Sequence, residues 1–123
     1  MKLRLTASDG WKLLFWAALL GTLALSLAST SVPLPTTGWD KTNHLLAFSV
    51  LTVLVRFAYP GRAWPYLLGL LGYGALIEIL QSFTRYRSAD WTDIAADAVG
   101  ILLGWGITLI LATAWPAGRS QPR

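Results

Sequence analysis

Residues 63–84 read AWPYLLGLLGYGALIEILQSFT. About 20 predominantly apolar residues span a ~30 Å hydrocarbon core as a helix, and this run has that length. A helix on the surface of a soluble protein keeps a polar face. Here, tyrosines aside, the only ionisable side chain is Glu78. A carboxylate among Leu and Ile carries a large desolvation cost unless it is paired or neutralised, so an intramembrane carboxylate marks a functional site.

Three more apolar blocks lie outward from this run, over 11–30, 43–59 and 93–115. Between them, Pro33-Leu34-Pro35-Thr36-Thr37-Gly38 and Tyr59-Pro60-Gly61-Arg62 have turn chemistry, and 85–92 forms the third connection. The connections are too short for extramembrane domains. The expected fold is all-α, with residues 1–123 forming one membrane domain, a polytopic four-helix transmembrane bundle running up and down. Composition agrees: 54% of the residues are hydrophobic and 13% charged, where a soluble domain carries about 25% charged. There is no cysteine, which excludes disulfides, thiolate nucleophiles and cysteine metal sites. The net charge of +4 belongs to helix ends rather than to nucleic-acid binding, because lysine and arginine collect at the cytoplasmic ends of membrane helices. The first block has a rival reading as a leader, since Lys2, Arg4 and Lys12 precede an apolar run ending in Ser26-Leu27-Ala28. Its length favours a retained helix.

Orientation follows from the same charges. With the N-terminus inside, the cytoplasmic segments hold seven basic residues (Lys2, Arg4, Lys12, Arg56, Arg62, Arg119 and Arg123), against Lys41, Arg85 and Arg87 outside. Both termini are expected to be cytoplasmic, in a multi-pass protein of the bacterial cytoplasmic membrane. Trp11, Trp64 and Trp115 then fall at the inner interface, and Trp39 and Trp91 at the outer one.

In this topology Asp40, Glu78, Asp90, Asp93 and Asp97 gather at the outer side, with the only histidine, His44, at the start of block two. Glu78 lies roughly 9 Å deep at 1.5 Å per residue, with Gln81 one turn further out on the same face. Asp93, Asp97, Gly100 and Gly104 form one stripe, acidic above and small below, and its glycines permit close helix approach. Gly69, Gly72 and Gly74 also read as packing residues. Asp40, Lys41, His44, Glu78, Gln81, Arg87, Asp90, Asp93 and Asp97 are therefore the expected binding residues of one mixed-sign, outward-facing cluster. Within it, Arg87 can neutralise Asp90 or Asp93, and His44 or Lys41 can neutralise Glu78. Simpler roles exist for each: interhelical adhesion for Glu78 and Gln81, helix-dipole stabilisation for Asp93, interfacial anchoring for His44 and Arg85.

Asp40-Lys41 followed by His44 and Phe48, then Glu78-x-x-Gln81, Arg87, Asp93, and Gly100 with Gly104, resembles the VanZ-like family in order and spacing, from Asp40 to Gly104. Members of that family often carry Asn where this chain has Asp97. The resemblance implies a small bacterial integral membrane protein, and the family's namesake is associated with low-level resistance to the glycopeptide teicoplanin. It transfers no mechanism.

Three functions fit these residues. The first is a binding protein for an anionic cell-envelope ligand, an antibiotic or a membrane-protein partner, a second copy of the chain included. The second is an enzyme acting on a lipid-linked or cell-wall precursor, with Glu78 and His44 as catalytic candidates for acid–base work. The third is a proton-coupled carrier titrating at Glu78. No cofactor is expected apart from a divalent cation, for which Asp90, Asp93 and Asp97 are the oxygen-ligand candidates. The lipid bilayer is the expected partner in every case.

Overall fold

A computed structural model of the chain describes residues 6–28, 40–84 and 90–114. Four helices account for most of them: α1 (Ala7–Leu27), α2 (Asp40–Ala58), α3 (Trp64–Gln81) and α4 (Thr92–Ala114). All four expected helices are present, with ends shifted by a few residues. The shifts have local causes. Block one starts earlier because Thr6 and Asp9 form a capping box: Asp9 N–H donates to Thr6 Oγ1 at 3.2 Å, and Thr6 N–H donates to Asp9 Oδ2 at 2.9 Å. Block three begins at Trp64 with Pro65 inside the first turn, where its missing N–H costs no intrahelical bond. Between α2 and α3 the chain reverses at Gly61, whose φ of 122° suits a residue without Cβ. The Arg56 guanidinium donates to the Gly61 carbonyl at 2.9 Å and closes that turn.

The helices alternate in direction, so that the start of α2, the end of α3 and the start of α4 lie together. The most extensive interface joins α2 to α4, and α2 also packs against α1 and α3. Accordingly, among the described residues five of the nine buried apolar ones come from α2: Phe48, Leu51, Leu54, Val55 and Ala58. Phe15, Leu70, Ile77 and Ile101 complete the core from the other three helices. The sequence reason for the α2–α4 contact is the glycine stripe. A Cβ on Gly100 would stand 2.5 Å from the Leu45 carbonyl oxygen, and one on Gly104 would stand 2.6 Å from that of Ser49. Only glycine lets the two backbones approach this closely. Ser49 Oγ donates across the seam to the Gly100 carbonyl at 3.0 Å.

α1 is integrated into the bundle rather than hanging from it. Phe15 is buried, Tyr73 of α3 donates its hydroxyl to the Leu19 carbonyl, and Gln81 Nε2 donates to the Ser26 carbonyl at 2.9 Å. At the opposite end, Trp11 stacks on Phe57 and Tyr59 on Tyr66. One expectation is corrected here. Gly69 and Gly72 face open space, with nothing within 4 Å of an added Cβ, so they are not packing residues within this chain.

Polarity is distributed inside out. Leu13, Leu20, Leu68, Leu102 and Ile110 are each at least 60% exposed, whereas Glu78, Asp93 and Asp97 are at most 1% exposed. A soluble fold places these classes the other way round. By length and composition α1 and α4 can each cross a membrane. Only 28% of α4's most apolar stretch is buried, which does not describe the core helix of a soluble protein. α2 and α3 fall outside that apolar class because they carry His44, Glu78 and Gln81 into the interior.

Candidate functional site

The buried polar residues converge at the end of the bundle where α2 and α4 begin and α3 finishes. His44 enters one turn into α2, and its ring lies parallel to Phe48 one turn below, at an interplanar angle of 3°. Asp93 and Asp97 sit one turn apart on the inner face of α4. Glu78 lies on the inner face of α3, one turn beyond Gly74.

His44 is the hub. Its Nδ1 pairs with Asp97 Oδ1 at 2.7 Å. With Asp97 ionised, Nδ1 carries the proton and Nε2 is turned to the other two acids. Nε2 stands 3.4 Å from Asp93 Oδ2 and 3.9 Å from Glu78 Oε1. Each carboxylate also has one oxygen held by the protein. Asp93 Oδ1 accepts from Lys41 Nζ at 3.1 Å, and Glu78 Oε2 accepts from the Asp90 backbone N–H at 2.8 Å. Among the described residues, Glu78 Oε1 and Asp97 Oδ2 are buried without a hydrogen-bond partner.

Lys41 and Asp90 form the rim, with side chains 30% and 48% exposed. Their ion pair is 2.7 Å long. Asp90 also accepts from the Thr92 backbone N–H and hydroxyl, which caps the start of α4. The Lys41 ammonium, followed by the Thr92 bonds, lowers the Asp90 carboxyl to about 2. Asp90 is thus ionised at any physiological pH, and the rim pair stays charged.

The expected site residues separate into groups. Lys41, His44, Glu78, Asp90, Asp93 and Asp97 come together. Gln81 is buried but turns to α1, where it bonds Ser26, and so joins helices instead of facing the acids. Lys41 pairs with Asp90 and Asp93, the partners expected of Arg87, and not with Glu78. Arg87, Arg85, Trp39 and Trp115, the basic residues of the two chain ends at Lys2, Arg4, Arg119 and Arg123, and the side chain of Asp40 lie outside the described residues. The group that could hold a metal ion also differs from Asp90, Asp93 and Asp97. His44, Glu78 and Asp93 present ligand atoms within 4.8 Å of one another, because Asp90 turns to the rim and Asp97 to Nδ1 of His44. Gly74 was legible only as a packing residue, yet it is part of the site. A Cβ there would lie 2.3 Å from Asp97 Oδ2 and 3.3 Å from the Phe48 ring, so its bare backbone makes room for the acid. Its spacing of four from Glu78 was the available signal.

No curated protein and no solved structure matches the chain. The family model described as VanZ/LLP1 matches residues 13–112, a span that takes in part or all of each of the four helices and every residue of the cluster. With its apolar exterior and buried charged interior, this chain belongs to the VanZ/LLP1 family and is a VanZ-like membrane protein.

Proposed function

We propose that the protein spans the bacterial cytoplasmic membrane four times, with both termini cytoplasmic. Its polar cluster then faces the extracytoplasmic side and binds an anionic envelope molecule, a lipid-linked or cell-wall precursor. The observation that carries this reading is Lys41, 30% exposed at the mouth, above a buried cluster in which His44 Nε2 stands 3.4 Å from Asp93 Oδ2 and 3.9 Å from Glu78 Oε1. The partly exposed Lys41 supports the anionic character of the ligand, since an ammonium at the mouth favours phosphate or carboxylate groups.

The test is expression in a teicoplanin-susceptible bacterium, scoring susceptibility and the pool of lipid-linked precursors. Wild-type protein should change at least one of these readouts. Glu78→Gln and His44→Gln, present in the membrane at equal amounts, should not. A Glu78→Gln variant that retains the full effect would show that the cluster does not act through this carboxylate. Lys41→Met should also abolish the effect, and its retention would overturn the anionic ligand.

A further inference from the structure

The three acids around His44 form an electrostatic imbalance within the described residues. Glu78, Asp93 and Asp97 are all but fully buried. Lys41 reaches only Asp93, and shares its charge with Asp90. A proton on His44 would offset one negative charge; a divalent ion would offset two. Buried charge without compensation is strongly disfavoured, and Glu78 Oε1 has neither a hydrogen-bond donor nor an ion partner closer than 3.9 Å.

The arrangement of oxygens is specific. Protein donors hold one oxygen of Glu78 and one of Asp93, while the other oxygen of each faces His44 Nε2. His44, Glu78 and Asp93 each offer one ligand atom, all within 4.8 Å of one another. Ligand atoms around a tetrahedral Zn²⁺ at ~2.0–2.1 Å stand ~3.3 Å apart, so a short inward movement of Glu78 closes the set. Behind the ring, Asp97 accepts from Nδ1, the outer-sphere carboxylate that fixes a metal-bound histidine's tautomer and orientation. Lys41 and Asp90 leave a partly exposed rim as the entry path.

We infer that His44 Nε2, Glu78 Oε1 and Asp93 Oδ2 bind one first-row divalent transition-metal ion, with Asp97 as the positioning residue behind His44. One imidazole nitrogen with two carboxylate oxygens suits Zn²⁺ or Mn²⁺. The open positions on such an ion would receive water or an anionic oxygen. The assignment stands on the cluster's geometry alone and holds whichever side of the membrane the mouth faces.

The experiment uses the full chain in detergent, stripped with chelator, and titrated with Mn²⁺ or Zn²⁺ alone. One ion per chain is expected at saturation, and pulsed electron paramagnetic resonance of bound Mn²⁺ should show coupling to a single imidazole nitrogen. His44→Gln removes that coupling. Glu78→Gln and Asp93→Asn weaken binding at least about tenfold, and Asp97→Ala by about 10–100-fold, with helicity unchanged by circular dichroism. Folded wild-type protein that binds less than one equivalent of both ions, or binds Mn²⁺ without nitrogen coupling, overturns the assignment. So does a Glu78→Gln variant that binds as tightly as wild type. Because no envelope ligand is present, these outcomes are independent of the ligand proposed above.

Discussion

Asp97 holds His44 through one oxygen, so its geometry tolerates an exchange to Asn. Its Oδ1 serves as acceptor for His44 Nδ1, and an amide oxygen can accept the same hydrogen bond. Asp97→Asn should therefore keep function within a few-fold, whereas Asp97→Ala releases the ring and should cost about 10–100-fold. The susceptibility or precursor assay reads both. Gly74→Ala acts on the other oxygen of the same carboxylate, since the new methyl group and Asp97 Oδ2 would overlap. It should reproduce the Asp97→Ala phenotype, and the double variant should be no worse than either single one, because both remove one interaction. The chain has one histidine, so nitrogen NMR of histidine-labelled protein reports a single ring. Wild type and Asp97→Asn should show the Nδ1–H tautomer, and Gly74→Ala and Asp97→Ala should lose that preference. An unchanged spectrum in Gly74→Ala would mean that Asp97 accommodates the methyl without leaving His44.

Between elements, the glycines divide into two classes that composition does not distinguish. Gly100 and Gly104 lie against the backbone of α2, which cannot retreat without separating the helices. Gly100→Ala and Gly104→Ala should each destabilise the bundle by about 1–3 kcal/mol through overpacking, measured as a lowered unfolding midpoint in detergent. Gly69→Ala and Gly72→Ala meet open space. They should be neutral or stabilising by up to about 1 kcal/mol, since alanine is the better helix former. Equal losses at Gly72 and Gly100 would indicate that α3 packs against another chain through the Gly72 face. The polar links of α1 operate at the same scale. Gln81→Leu removes the donor to the Ser26 carbonyl and should loosen α1 while leaving the His44 cluster assembled, which the same histidine spectrum would register as no change.

For the whole molecule, the exposed apolar side chains and the buried acids require a bilayer outside and a polar site within. The described basic residues away from the cluster, Lys12, Arg56 and Arg62, lie at the end opposite to His44. The proposed orientation, drawn from the positive-inside bias, takes that end as cytoplasmic. A reporter that works only in the cytoplasm, fused after Arg123, should be active, and an alkaline phosphatase inserted between Arg85 and Ala89 should be active outside. The reverse pattern would turn the cluster to the cytoplasm and remove the envelope ligand from reach, without altering the geometry on which the metal assignment stands.

Helix number, approximate helix limits and the close-packing face of α4 were all legible in the chain, though not that α2 is the helix it meets. Apolar run length and turn chemistry act locally, and a Gly-x-x-x-Gly stripe states its own packing demand. The gathering of His44, Glu78, Asp93 and Asp97 was legible too, because four antiparallel helices bring matching depths together. Pairing within that cluster was not. Depth along a helix axis does not say which of three carboxylates meets a given imidazole nitrogen, and that choice depends on rotation and approach distances set by the whole bundle. Tertiary structure therefore decided that Asp97 turns to Nδ1, that Asp93 and Glu78 face Nε2, that Gln81 leaves the site for α1, and that Gly74 is the gap into which Asp97 fits. Sequence by itself determined that a carboxylate would be buried among apolar helices at Glu78; only the packed bundle determined what that carboxylate faces.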